Sequence, residues 1–306
     1  MMQQKILIIV GPTASGKSAL AVDLAKKFNG EIISADSRQV YRRLDIGTGK
    51  ITKSEMRGVP HHLLDVASPK TSYSAGKYVQ AASRVIGEIA KRGKLPIIVG
   101  GTGFYIDALV GRIPLHEIPR DLKLRTQLDK KNTVQLFAQL KKRDPVRAQQ
   151  MDTLSERNNK VRLIRALEIA AARHAPKKLQ RTVLSSFDAL WLGVAPPFQV
   201  LEKNIKKRLH ERIRRGMVAE GRRLRKSGLS FRRMEELGLE YRALARLLQN
   251  KLTREEFEKQ LQIEIRRYAK HQQAYWKRNT DITWFLPSNH TAIYRTIGDW
   301  LKKKKL

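Results

Sequence analysis

The sequence predicts an α/β fold: a parallel β-sheet flanked by helices, carrying a helical insertion domain. Three observations predict it. Short β-branched apolar runs alternate with helix-period stretches over the first 110 residues. A further strand-like run returns after residue 185, and the stretch between is helical in pattern. With 306 residues and 41% hydrophobic content, the chain can bury a sizeable core.

Taken in order, Lys5 to Val10 (KILIIV) is apolar and β-branched without alternation, the signature of a strand buried on both faces. Residues 16–27 have helical spacing, with Leu20, Leu24 and Ala25 on one face and Lys26 and Lys27 closing the last turn. Glu31 to Ala35 reads as a second strand. Residues 75–92 form an amphipathic helix with Tyr78, Ala82, Val85, Ile86 and Ile89 inward, and Leu95 to Val99 is a third strand running into Gly100-Gly101-Thr102-Gly103. Pro114 and Pro119 mark a connection, after which helical patterns run to about 180. Ala189 to Val194 is another buried strand, followed by Pro196 and Pro197. From 199 the chain is helical and basic, with a last strand at Ile282 to Leu286. The expected division is a core of residues 1–112 plus 186–306, with a helical insertion at 113–185.

Composition narrows the function classes. The absence of cysteine excludes disulfides and thiolate metal sites and fits a reducing compartment. The opening apolar run is too short for a signal segment or a membrane span, so a cytoplasmic protein without a membrane partner is expected. A monomer is expected as well. The formal net charge of +34 calls for a polyanionic partner, unless it is only a basic compositional bias. Residues 1–110 hold 16 basic and 8 acidic side chains, so most of the excess lies in the remaining chain.

Gly11-Pro12-Thr13-Ala14-Ser15-Gly16-Lys17-Ser18 matches G-x-x-x-x-G-K-[ST] at every fixed position, after a strand and opening a helix. Glycines let backbone N–H groups turn inward around phosphate oxygens, and the helix presents its positive end. Lys17 adds a mobile cation, and the Ser18 hydroxyl can hold Mg2+. The motif specifies a phosphoanhydride and a P-loop NTPase-like sheet, not which ligand.

In open parallel sheets ligands sit beyond the carboxyl ends of the strands. Asp36 and Ser37 follow the second strand, and Gly100 to Gly103 the third. A carboxylate there can take a proton from a nucleophile facing the diphosphate; the lesser alternative is that Asp36 is a helix cap. The third strand does not end in an acid, which weighs against an ordinary ATPase. His61-His62 lacks a third ligand at metal spacing and reads as a loop near the site. Arg162 and Arg165 share a helix face. Residues 202–235 carry 13 Lys/Arg against 4 Asp/Glu. The run 266–278 mixes cations with Tyr268, Tyr275 and Trp276, which serve either as stacking platforms or, more often, as core.

GPTASGKS (11–18), ISADSRQVYRRLDIGTG (33–49), GVPHHLLDV (58–66), YSAGKY (73–78), PIIVGGTGFYIDAL (96–109), VRLIRALEI (161–169) and RRYAKHQQAYWKR (266–278) together resemble the bacterial tRNA dimethylallyltransferases, or tRNA isopentenyltransferases, across nearly the whole chain. The resemblance implies transfer of a dimethylallyl group from dimethylallyl diphosphate to N6 of the adenosine 3′-adjacent to the anticodon, with release of diphosphate. It implies that Lys17 and Ser18 hold the diphosphate and Mg2+, that Asp36 is the general base, and that Thr102 contacts the reacting groups. Asp36, Ser37, Arg38, Gln39, Thr102, Arg125 and Val161, Arg162, Leu163, Ile164 and Arg165 match positions that touch tRNA, the target adenine being flipped out of its stack. The chain departs from the family pattern at Gly49-Lys50-Ile51, at Ile265-Arg266 and Lys270-His271-Gln272, and more loosely at Leu237 to Tyr241. A shikimate-type kinase and an RNA-binding NTPase are the rival readings; neither accounts for both Asp36 and the basic carboxyl-terminal half.

Overall fold

The computed structural model describes residues 3–113, 115, 118, 121–173 and 187–303. Two compact units are present, residues 1–113 with 184–306, and residues 114–183. The larger unit is built on six strands: β1 (Gln4–Val10), β2 (Gly30–Ser34), β3 (His61–His62), β4 (Leu95–Gly100), β5 (Phe187–Val194) and β6 (Ile282–Phe285). Their order is β3-β2-β4-β1-β5-β6, and every pairing is parallel. The expected α/β class and all five predicted strands are observed, with boundaries shifted by at most about two residues.

The central position of β1 follows from its composition: Ile6 to Val10 have no exposed surface. On one sheet face Leu7, Ile9, Ile97 and Val99 pack with Leu20 and Leu24 of the helix Lys17–Lys27 and with Ile293 and Ile297 of the helix His290–Lys302. The predicted inward residues of the helix Ala75–Lys91 are all buried, and Ser74 caps it by accepting from the Lys77 N–H. A second core joins Val40, Tyr41 and Leu44 to Leu201, Ile205 and Leu209 of the helix Phe198–Arg214, and to Phe257, Leu261 and Ile265 of the helix Arg254–Trp276.

His61 and His62 do not lie in a loop. They form the edge strand β3, paired with Ile32 and Ile33. Two residues between loop segments carry no periodicity, so no pattern could announce this strand. His62 Nε2 is 2.7 Å from Glu31 Oε2, and Arg92 and Lys94 donate to the same carboxylate. Burial alone would raise the Glu31 pKa, but the bonds from Arg92, Lys94 and His62 hold it near about 2.

The smaller unit contains the helices Leu122–Leu128, Thr133–Arg143, Pro145–Gln150, Leu154–Arg157 and Lys160–Arg173. Leu128, Leu136, Leu140, Leu163, Ile164 and Leu167 form its core. The connection predicted at Pro114 and Pro119, and the helical pattern beyond residue 173, fall outside the described residues.

Candidate active site

The phosphate loop leaves β1 at Gly11, whose φ of +153° and close approach to β5 exclude a side chain: a methyl there would sit 2.3 Å from the Val194 carbonyl oxygen. Gly16, at φ +88°, turns the chain into the helix Lys17–Lys27. Lys17 Nζ donates to the Pro12 carbonyl at 3.0 Å, which holds the cation over its own loop. Burial, then the neighbouring charge of Arg208, lower the Lys17 pKa to about 8, against the opposing pull of Asp36. The Ser18 side chain is exposed at the start of the helix.

Asp36 caps a turn and not a helix. Its Oδ1 accepts from the N–H groups of Arg38 at 2.8 Å and Gln39 at 3.2 Å, capping the turn after β2. Its Oδ2 has no partner among the described residues. Thr102 ties the two strand ends together: its N–H donates to the Ala35 carbonyl at 3.2 Å, and its Oγ1 accepts from the Ser37 N–H at 3.0 Å. With Oγ1 accepting, the hydroxyl hydrogen remains free to donate outward. Gly100 is required here, because a methyl would lie 2.1 Å from the Ala35 oxygen.

Three contributors were not assigned to the site from the sequence, although Tyr268 and Gln272 lie in a stretch that it singled out. Gln272, 6% exposed, accepts from the Thr13 N–H at 2.8 Å and donates to the Gly101 carbonyl at 3.0 Å, latching the phosphate loop to the turn after β4. Tyr268, four residues earlier on the same helix, has its hydroxyl pKa pushed up by burial and by the adjacent Asp36 charge. Arg208 projects near Lys17 and makes no hydrogen bond or ion pair among the described residues. In a run of 13 Lys/Arg no spacing distinguishes Arg208 from its neighbours; only the packing of its helix does. Of the aromatics in 266–278, Trp276 is core as expected, at 1% exposure. Tyr275 is neither core nor a free platform: its hydroxyl bonds Asp107 and its ring covers Gly103, where a methyl would be 2.0 Å from Cε1.

A cavity beside Ser18 is walled by Ala21, Ile32, Ile51, Leu64 and Val99, with Ser34, Gln39 and His61 as its polar lining. A neighbouring cavity of about 480 Å³ shares Ile51, His61 and Leu64 with it and extends to Asp45, Lys53, Met56 and Arg215. Burial lowers the His61 pKa, which keeps that imidazole neutral near pH 7.

The residues matched to tRNA contact in the smaller unit divide sharply. Val161 and Arg162 face solvent, and Arg162 pairs with Glu156. Leu163 and Ile164 are 0% and 4% exposed, so their side chains serve that unit's core and cannot reach an RNA surface. Arg125 is bidentate to buried Glu168, at 2.5 and 2.8 Å, and Arg165 bonds the same carboxylate at 3.1 Å and the Ile118 carbonyl at 2.8 Å. Arg162 and Arg165 are three residues apart, yet one is solvent-exposed and the other half-buried, because Glu168 draws Arg165 inward.

The IPP transferase family model matches residues 39–279, a span that begins after the phosphate loop. The chain is 40% identical to the tRNA dimethylallyltransferase of Leuconostoc citreum over 298 residues, covering 94% of this chain and 98% of that one. It is 36% identical to that of Pediococcus pentosaceus, covering 98% of both. Among solved structures, the full-length tRNA isopentenylpyrophosphate transferase of Bacillus halodurans superposes with a TM-score of 0.73 at 34% identity, over 98% of this chain and 97% of that one. A eukaryotic dimethylallyltransferase acting on tRNA gives a TM-score of 0.80 at 25% identity, over 99% and 81%.

Proposed function

The chain belongs to the IPP transferase family, and from that premise we infer that it transfers a dimethylallyl group to tRNA, with dimethylallyl diphosphate as donor and diphosphate as leaving group. The observation that carries the assignment of roles is the junction of Asp36, Thr102 and the phosphate loop at the carboxyl ends of three neighbouring parallel strands. The acceptor is N6 of the adenosine 3′-adjacent to the anticodon.

The loop N–H groups of Gly16, Lys17 and Ser18, with the Lys17 and Arg208 side chains, take the diphosphate; those of Thr13 and Ser15 are held within the protein by Gln272 and the Pro12 carbonyl. Ser18 would hold a magnesium ion, since one exposed hydroxyl plus diphosphate oxygens and water is an oxygen set that suits it. When bound, that ion neutralises charge on the departing diphosphate. The adenine amine attacks C1 of the donor, the C1–O bond breaks, and its electron pair leaves with diphosphate. Asp36 Oδ2 accepts the amine proton, while Oδ1 stays fixed by Arg38 and Gln39. Thr102 points its free hydroxyl hydrogen at a substrate acceptor.

A carbon electrophile accounts for the missing acid after β4: no γ-phosphoryl transfer needs a metal held there. Val161 and Arg162 are outward-facing candidates for tRNA contact. Among the described residues no helix is long and apolar enough to cross a membrane.

Incubated with dimethylallyl diphosphate and undermodified tRNA, the protein should yield prenylated adenosine and one equivalent of diphosphate, read by nucleoside mass spectrometry. Unchanged tRNA, with phosphoryl transfer from ATP to another acceptor, would overturn this reading.

A further inference from the structure

One buried carboxylate ties the Asp45–Gly47 turn, which runs into the Gly49 to Ile51 departure from the family pattern, to Tyr241 at the end of the loosely matched stretch Leu237 to Tyr241. Glu220, 3% exposed, accepts from three successive N–H groups: Asp45 at 3.0 Å, Ile46 at 2.7 Å and Gly47 at 3.0 Å. A fourth donor, the Tyr241 hydroxyl, reaches Glu220 Oε1 at 2.8 Å. No ion pair to Glu220 occurs among the described residues. Burying a carboxylate without a cation is unfavourable unless its lone pairs are filled, and these four bonds fill them while leaving the loop a single arrangement.

The other side of that loop faces the donor site. Arg212 Nη1 donates to the Gly47 carbonyl at 2.6 Å and is itself held by Glu240 at 3.0 Å. The Thr48 and Gly49 carbonyls lie 3.4 Å from Gln39 Nε2. Gly49, at φ +59°, presents its backbone to Arg208: a methyl there would stand 3.0 Å from Arg208 Nη2. Among the described residues Arg208 has no hydrogen-bond or ion-pair partner; it is repelled by Arg212 and Lys17 and drawn in by the more distant charges of Glu55, Glu240 and Glu211. An unpaired, repelled guanidinium keeps its orientation when something stands behind it.

We infer that Glu220, assisted by Tyr241, is a positioning residue for the diphosphate donor, holding the Asp45–Gly49 loop as the backstop that sets Arg208 towards Lys17. This rests on the proposed function.

The test measures donor KM, kcat and tRNA affinity for Glu220→Gln and Tyr241→Phe, each alone and with Arg208→Ala. Glu220→Gln should raise the KM for dimethylallyl diphosphate about tenfold, with kcat at saturating donor and tRNA affinity within about threefold of wild type. Tyr241→Phe, which keeps the three N–H bonds, should raise it about threefold and decides the matter if Glu220→Gln does not fold. Both increases should vanish in the Arg208→Ala background, because the residue they act through is gone. Equal losses in donor and tRNA binding, or an undiminished increase without Arg208, would overturn the assignment. A wild-type protein that transfers no dimethylallyl group would instead overturn the proposed function.

Discussion

Asp36→Asn separates the two tasks that Asp36 performs. The asparagine side-chain oxygen can still accept from the Arg38 and Gln39 N–H groups, now 2.8 and 3.2 Å from Oδ1, so the turn after β2 is kept. Asparagine and aspartate cap about equally well, which limits the stability change to about 0.5 kcal/mol. The amide nitrogen that replaces Oδ2 cannot take a proton. Losing a general base costs about 10²- to 10⁴-fold in rate, or about 3–5 kcal/mol in the barrier. Asp36→Ala loses the cap as well, adding about 1 kcal/mol of destabilisation, roughly 2–4 °C in melting temperature for a domain of this size. The assay is single-turnover prenylation with saturating tRNA, alongside thermal denaturation. Both variants should be equally slow, and only Asp36→Ala should melt early. An Asp36→Asn protein within about threefold of the wild-type rate would leave Asp36 as a turn cap alone and refute the mechanism.

Affinity for inorganic diphosphate should weaken as pH rises through about 8, because the Lys17 ammonium, lowered to that value, loses its charge there; calorimetry over pH 6.5–9.5 checks this, and Lys17→Arg should flatten the profile. The depressed pKa of Glu31 contributes stability that is fully present above the ordinary carboxylate range and is lost as pH falls towards about 2; Glu31→Gln should remove that part of the acid sensitivity in denaturation midpoints. Gly101→Ala places a methyl 2.0 Å from Gln272 Nε2, which should break the latch to Thr13 and destabilise the protein by about 1–3 kcal/mol; adding Gln272→Ala should recover part of the melting temperature. Affinity for tRNA should fall steeply with salt, as phosphate contacts release counterions, and a flat response would contradict the electrostatic role of the net charge of +34.

By itself the sequence determined whatever is written in contiguous residues. β1 is a continuous apolar run bounded by a glycine, and the phosphate loop has a fixed spacing that permits one backbone path, so both could be read directly. The position of Asp36 at a strand end follows from the parallel alternation in the same way. Tertiary structure decided everything that depends on which distant elements meet. Glu31 gathers residues from positions 62, 92 and 94, and Gln272 reaches across more than 170 residues to Gly101. Arg208 differs from neighbouring cations only in the cleft it enters, and Leu163 and Arg165 differ from Arg162 only in the side of the helix that Glu168 and the core occupy. A hydrogen bond across the fold leaves no period in the chain, because its geometry is set by how helices settle on the sheet. The phosphate loop, with Asp36 and Thr102 at the neighbouring strand ends, could therefore be placed from the sequence, while Gln272 and Arg208 beside it emerged only from the packing.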